Sequence, residues 1–136
     1  MRTQPLRILI ATLVALSILG GFATAEVEST TDSLETVKKN LTDKQAVLVD
    51  ARTIEEWDEG HLKDAILVPL VRLEKDPSAE DLAKVLPKGK SIYIYCRRGR
   101  RALLAGEILA KYGYEVRPLK PGYKELLDAG FPKAEK

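Results

Sequence analysis

The only cysteine of this 136-residue chain, Cys96, lies between Ser91-Ile92-Tyr93-Ile94-Tyr95 and Arg97-Arg98-Gly99-Arg100-Arg101, which places four arginines within five positions. The run before it is rich in β-branched and aromatic residues and reads as a buried strand. From Ala102 to Tyr112 the apolar spacing reads as a helix, with Gly113 as its C-terminal stop. A thiol at the end of a strand and just before a helix faces that helix's unpaired N–H groups and the positive end of its dipole. Both features, and the neighbouring guanidinium groups, favour the thiolate, which is the nucleophilic form. Gly99 lets the backbone curl so that several amides point at one centre, an anion-binding nest. Four guanidinium groups packed this closely repel one another unless an anion compensates them.

The elements that must hold this loop follow in alternation. Asp32 and Glu35 have the spacing of a capping box, and Leu34, Val37, Lys38 and Leu41 continue as an amphipathic helix. Ala46-Val47-Leu48-Val49-Asp50 reads as a strand covered on both faces. Thr53 and Glu56 form a second capping box, opening a short helix through Trp57 that Gly60 ends. Ile66-Leu67-Val68 is a short strand closed by Pro69, and Ser78 to Leu86 a helix between two prolines. Tyr114 to Arg117 is a last strand, and Tyr123 to Ala129 a last helix before Gly130. Short strands alternating with helices give an α/β fold, a parallel central sheet flanked by helices on both faces. Ligands of such sheets bind beyond the carboxyl ends of the strands, where Cys96 lies.

Composition narrows the classes. Arg2 and Arg7, the uncharged stretch Ile8 to Phe22 and the small residues Ala23-Thr24-Ala25 read as a secretory signal peptide over residues 1–25. The protein is thus expected in the periplasm or secreted, the alternative being an uncleaved N-terminal membrane anchor. Without Arg2 and Arg7, the 22 basic residues fall to 20 against 20 acidic ones, so no general basic surface for nucleic acid remains. A polar lead-in spans 26–33 and one domain 34–133. A single cysteine excludes an internal disulfide. Neither a cofactor nor a metal is expected, and the chain is read as a monomer without stable membrane insertion after cleavage.

Several short motifs resemble the single-domain rhodaneses when taken in order. They are Val49-Asp50-Ala51-Arg52, Glu55-Glu56-Trp57, Gly60-His61-Leu62 with Ala65 and Val68-Pro69, Ile94 to Ala102, Gly113-Tyr114, Gly122-Tyr123 and Ala129-Gly130-Phe131-Pro132. The resemblance covers Leu34 to Pro132. It implies a sulfurtransferase whose catalytic Cys96 cycles through a persulfide, taking sulfane sulfur from thiosulfate or a related small anionic donor and passing it to cyanide or a thiol. Arg97, Arg98, Gly99, Arg100 and Arg101 would bind the donor, with Arg101 and Arg97 foremost, and Asp50 and Arg52 would shape the floor as a charge-assisted pair. His61 is expected to mark a turn rather than act as a base, and Trp57 to anchor the core. Asp64 and Pro121 stand where the family often has glycine.

Three other classes compete. A phosphatase of the related cell-cycle type needs five residues between cysteine and arginine, and position 102 is alanine. A thiol–disulfide oxidoreductase wants a second cysteine. A noncatalytic or sulfur-carrier module that binds a partner protein is the runner-up.

Overall fold

Two apolar runs, Ala46–Asp50 (β1) and Ser91–Tyr95 (β3), form the centre of a parallel sheet in the computed structural model, which describes residues 26–136. The expected signal segment lies outside the described residues. Ile66–Leu67 (β2) pairs with β1, and Glu115–Pro118 (β4) with β3, giving the order β2-β1-β3-β4 with every pairing parallel. In-register pairing of Leu48 with Tyr93 and Asp50 with Tyr95 sets the alternation of faces. Val49, Ile92, Ile94 and Cys96 enter one half of the core, while Ala46, Leu48, Tyr93 and Tyr95 enter the other. A period of two along each strand requires this division.

Helices cover both faces. Leu34–Thr42 (α1) and Tyr123–Asp128 (α6) supply Val37 and Leu126 to the tyrosine side. Leu70–Leu73 (α3), Ala79–Ala83 (α4) and Arg100–Lys111 (α5) supply Leu70, Leu73, Leu82, Ala105 and Leu109 to the cysteine side. Ile54–Glu59 (α2) buries no residue fully. The fold class is the one the alternation implies, a parallel α/β sheet with helices on both faces.

Several boundaries differ from the sequence reading. Ser33, not Asp32, caps α1, its hydroxyl accepting from the Thr36 amide. Asp32 instead accepts the Tyr93 hydroxyl at 2.6 Å and Arg117 at 2.9 Å. That hydroxyl and the guanidinium beside it hold the Asp32 carboxyl below its ordinary range. α3 was not expected, because four residues after a proline carry too little periodicity to be read. α4 ends at Ala83 although Ser78 caps it as expected. Thr53 and Glu56 make both bonds of a capping box at α2. Trp57 is half-buried rather than a core anchor, since its ring stacks on His61 with centroids 3.4 Å apart. The polar lead-in is tied down where the Thr30 amide donates to the Pro118 carbonyl at 2.7 Å, on the outer edge of the sheet.

Candidate active site

Cys96 stands one residue beyond β3, 1% exposed, with its side chain on the α5 side of the sheet. Its backbone is latched from the neighbouring crossover: Leu119 N–H donates to the Ile94 carbonyl at 2.8 Å and Tyr123 N–H to the Cys96 carbonyl at 2.9 Å. Two glycines make the latch possible. A Cβ on Gly122 would lie 1.7 Å from the Arg97 carbonyl oxygen, inside any contact distance. Gly99 has φ +95, in the left-handed region, and its Cβ would meet the Lys120 carbonyl at 2.7 Å.

Gly99 turns the chain into α5, and no side chain caps that helix. In place of a cap, the Gly99 amide donates to Cys96 Sγ at 3.0 Å. The amides of Arg100, Arg101 and Ala102 have no hydrogen-bond partner among the described residues, the deficit every helix start carries. A sulfur that gains negative charge here meets donors and the positive helix end at once.

Beneath the loop lies a buried polar cluster. Arg52 donates through Nε and Nη2 to both Asp50 oxygens at 2.8 to 3.1 Å, and through Nη2 to the Gly60 carbonyl at 2.8 Å. Asp50 is fully buried and Arg52 4% exposed, so removing either partner would strand a charge away from water. The Tyr95 hydroxyl donates to Asp50 at 2.7 Å and accepts the Leu62 amide at 3.1 Å. Burial, with the Asp50 charge second, pushes the Tyr95 phenol far above its usual range, so it remains a donor. The Arg52 guanidinium lies 4.1 Å over the Tyr123 ring, joining this cluster to the residue whose amide holds Cys96.

The four arginines separate into two groups. Arg97, Arg98 and Arg100 are exposed and make no ion pair among the described residues. Arg101 reaches back to α2, where Nη1 and Nη2 donate to the two Glu56 oxygens at 2.6 and 3.0 Å. That pair pushes the Glu56 carboxyl down to about 2 and raises the Arg101 guanidinium, which is also within electrostatic reach of Cys96. Glu56 serves twice, since its Oε1 also accepts from Thr53 in the capping box. Sequence reasoning placed Glu56 in that box but not beside Arg101, 45 residues away; no local pattern carries such a pairing.

The structure therefore brings Cys96, Gly99 and Arg101 together at the start of α5, with Asp50 and Arg52 in the cluster below. The other three arginines stand on the rim. His61 Nδ1 is engaged with the Trp57 carbonyl at 3.1 Å, and its ring is stacked, so it is not aimed at the sulfur loop by either contact. No group of three or more metal-ligating side chains occurs among the described residues.

This arrangement, one sulfur held by an amide at an uncapped helix start beside exposed arginines, can stabilise negative charge on that sulfur. Comparison with known proteins gives it a context. Residues 33–129 match the family model described as the rhodanese-like domain. A thiosulfate sulfurtransferase of Escherichia coli is 33% identical over 79 residues, covering 57% of this chain and 71% of that protein. Relatives from Schizosaccharomyces pombe and Bacillus subtilis are each 32% identical, over 85 and 95 residues, the second bearing the name of a sulfur carrier protein. The chain spans only 60% and 48% of their lengths. Among solved structures, a rhodanese with anions from E. coli has a TM-score of 0.53 at 29% identity, covering 67% of this chain and 99% of that one. A human single-domain sulfurtransferase has a TM-score of 0.63 over 74% of this chain and 97% of its own; at 24% identity it speaks for the fold alone.

Proposed function

The chain belongs to the rhodanese-like domain family, and from that membership we propose that it is a thiosulfate sulfurtransferase working through a persulfide on Cys96. In the first half-reaction the Cys96 thiolate attacks the outer sulfur of thiosulfate. The S–S bond of the donor breaks, and sulfite leaves with the bonding pair. In the second, cyanide or a thiolate attacks the outer sulfur of the persulfide, and Cys96 returns as thiolate. No cofactor or metal is needed, because electrons move only between sulfur and its partners.

The observation that carries this reading is the Gly99 amide on Cys96 Sγ at the uncapped start of α5. The same donors serve the thiolate and the terminal sulfur of the persulfide, so both halves of the cycle meet matched electrostatics. Arg101 is held on one side by Glu56, which fixes the plane of its guanidinium and leaves other N–H groups for a sulfonate oxygen. Arg97, Arg98 and Arg100 add a positive rim that draws anionic donors in. The six-residue loop is too small to surround a phosphoryl group as it surrounds a persulfide, which speaks against the phosphatase reading.

The test is a thiosulfate-to-cyanide assay on the domain, coupled to mass spectrometry of the protein after donor alone. A second reading, a sulfur carrier handing its persulfide to a partner protein, is favoured by the name of the B. subtilis relative. It gives sulfur loading without appreciable turnover to cyanide. Export by cleavage after Ala25 completes the proposal and places the domain in the periplasm or outside the cell.

A further inference from the structure

On the sheet face opposite Cys96, a cavity of about 440 Å³ opens beside the end of α1 and the start of β1. Its floor is apolar and closed by the buried residues Ala46, Leu48, Leu62 and Phe131, with Leu41 in the wall. Lys44, Lys63 and Lys90 line it, and none of them makes an ion pair or a hydrogen bond through its side chain among the described residues. Lys38 also reaches the rim, where its ammonium is occupied by the Ala129 carbonyl and the Phe131 ring. Asp64 supplies the single carboxylate.

Lys44 (φ 55) and Asp64 (φ 61) are two of the three non-glycine residues with left-handed backbone among the described residues, and both lie on this rim. The end of α1 accounts for the first, where the Gln45 amide donates to the Asn40 carbonyl at 3.0 Å, and the turn closed by the Ala65 amide on the Leu62 carbonyl at 3.2 Å accounts for the second.

The volume falls within the range of small-ligand sites, about 300 to 1,000 Å³, and the lining pairs an apolar floor with a few polar groups of one sign. Three lysines without an ion-pair partner beside one apolar hollow give it a positive character that an anion complements. The chain's own apolar stretch from Ile8 to Phe22 carries no acid group and is preceded by Arg2 and Arg7, so its charge has the wrong sign for this rim.

We propose that this cavity is a binding site for a small amphipathic anion, an acid with an alkyl or aryl body, separate from the cysteine loop. The apolar body lies on Leu48, Leu62 and Phe131, and the acid group meets Lys44, Lys63 and Lys90. The probe is decanoate, titrated into the isotopically labelled protein by NMR and calorimetry, beside decanol and decyltrimethylammonium. Decanoate is expected to bind one to one, to shift the Leu41, Leu62 and Phe131 signals, and to weaken as salt rises. The double variant Lys44→Glu/Lys90→Glu should weaken decanoate about tenfold or more while leaving thermal stability unchanged, since both side chains reach water. Lys63→Glu gives a second, independent reading. Equal binding of decanol or of the cation, or undiminished binding to the charge-reversed variants, overturns the proposal. So does self-association that buries these signals, because a second copy then holds the cavity.

Discussion

At the scale of single residues, the proposed chemistry rests on one sulfur and the groups around it. Cys96→Ser should abolish sulfur loading and turnover while the fold persists, because serine fits the same space at the loop; circular dichroism and the mass of donor-treated protein check both halves. Arg101 belongs to a different class from its neighbours. A charge-assisted bond to a sulfonate is worth about 1.5 to 3 kcal/mol, so Arg101→Ala should lower thiosulfate kcat/KM by about ten- to a hundredfold. Arg97→Ala, at an exposed position, should act in the same direction and be mimicked in part by added salt. Alkylation of Cys96 by a small neutral reagent, measured at one pH, should change far less in either variant. If alkylation falls as steeply as donor efficiency, the arginines act on the sulfur itself and not on the donor. The residues of the loop were legible because their types are unusual and adjacent. Glu56 as the partner of Arg101 was not, because the pairing depends on how α2 packs near α5 and leaves no trace in local spacing.

Between elements, two contacts decide whether the loop keeps its shape. The first is the approach of the α6 start to the cysteine loop, where Gly122 leaves no room for a side chain. Gly122→Ala should push the Arg97 carbonyl away, at about 3 kcal/mol or more in stability, with loss of sulfur transfer. Denaturant unfolding and activity would be read together, and an active variant of native stability would show that the loop yields more easily than this packing implies. The second is the α2–α5 ion pair. Glu56 is lowered in the folded state from 4.5 to about 2, so its stabilisation is present above the unfolded value and is lost as pH falls through the folded one. Stability should therefore decline between about pH 4.5 and about pH 2, and Glu56→Gln should flatten that part of the profile by about 1 to 2 kcal/mol, the partial exposure of the pair reducing the full linkage value. Strands were easy to read from sequence, since uninterrupted apolar runs fit only covered strands of this length. Helix starts were harder. α5 begins at Arg100, not Ala102, because the capping position is a left-handed glycine whose role is filled by a sulfur, and α3 is too short to show a period.

The molecule as a whole places the cysteine loop and the lysine-lined cavity on opposite sides of one four-stranded sheet. Cys96 faces the α5 half of the core, and the basic-rimmed cavity opens into the tyrosine half. The C-terminal segment closes the second half, pairing Lys133 with Leu62 and burying Phe131. Phe131→Ala should cost about 3 kcal/mol or more, seen as a lowered denaturation midpoint, with sulfur loading of the remaining folded protein unchanged. A near-neutral domain with local positive charge at the loop also fits a protein that selects small anions rather than polyanions. Export belongs to this scale too: mature protein recovered from the periplasm or medium should begin at Glu26, and an intact N-terminus in a membrane fraction would speak for an anchor. The most direct test of the whole account is the intact mass of the protein after exposure to thiosulfate and then to cyanide. The expected result is a gain of one sulfur on Cys96, removed by cyanide with formation of thiocyanate and absent in Cys96→Ser. Protein that gains no sulfur, yet hydrolyses aryl phosphates in a Cys96-dependent manner, would contradict it.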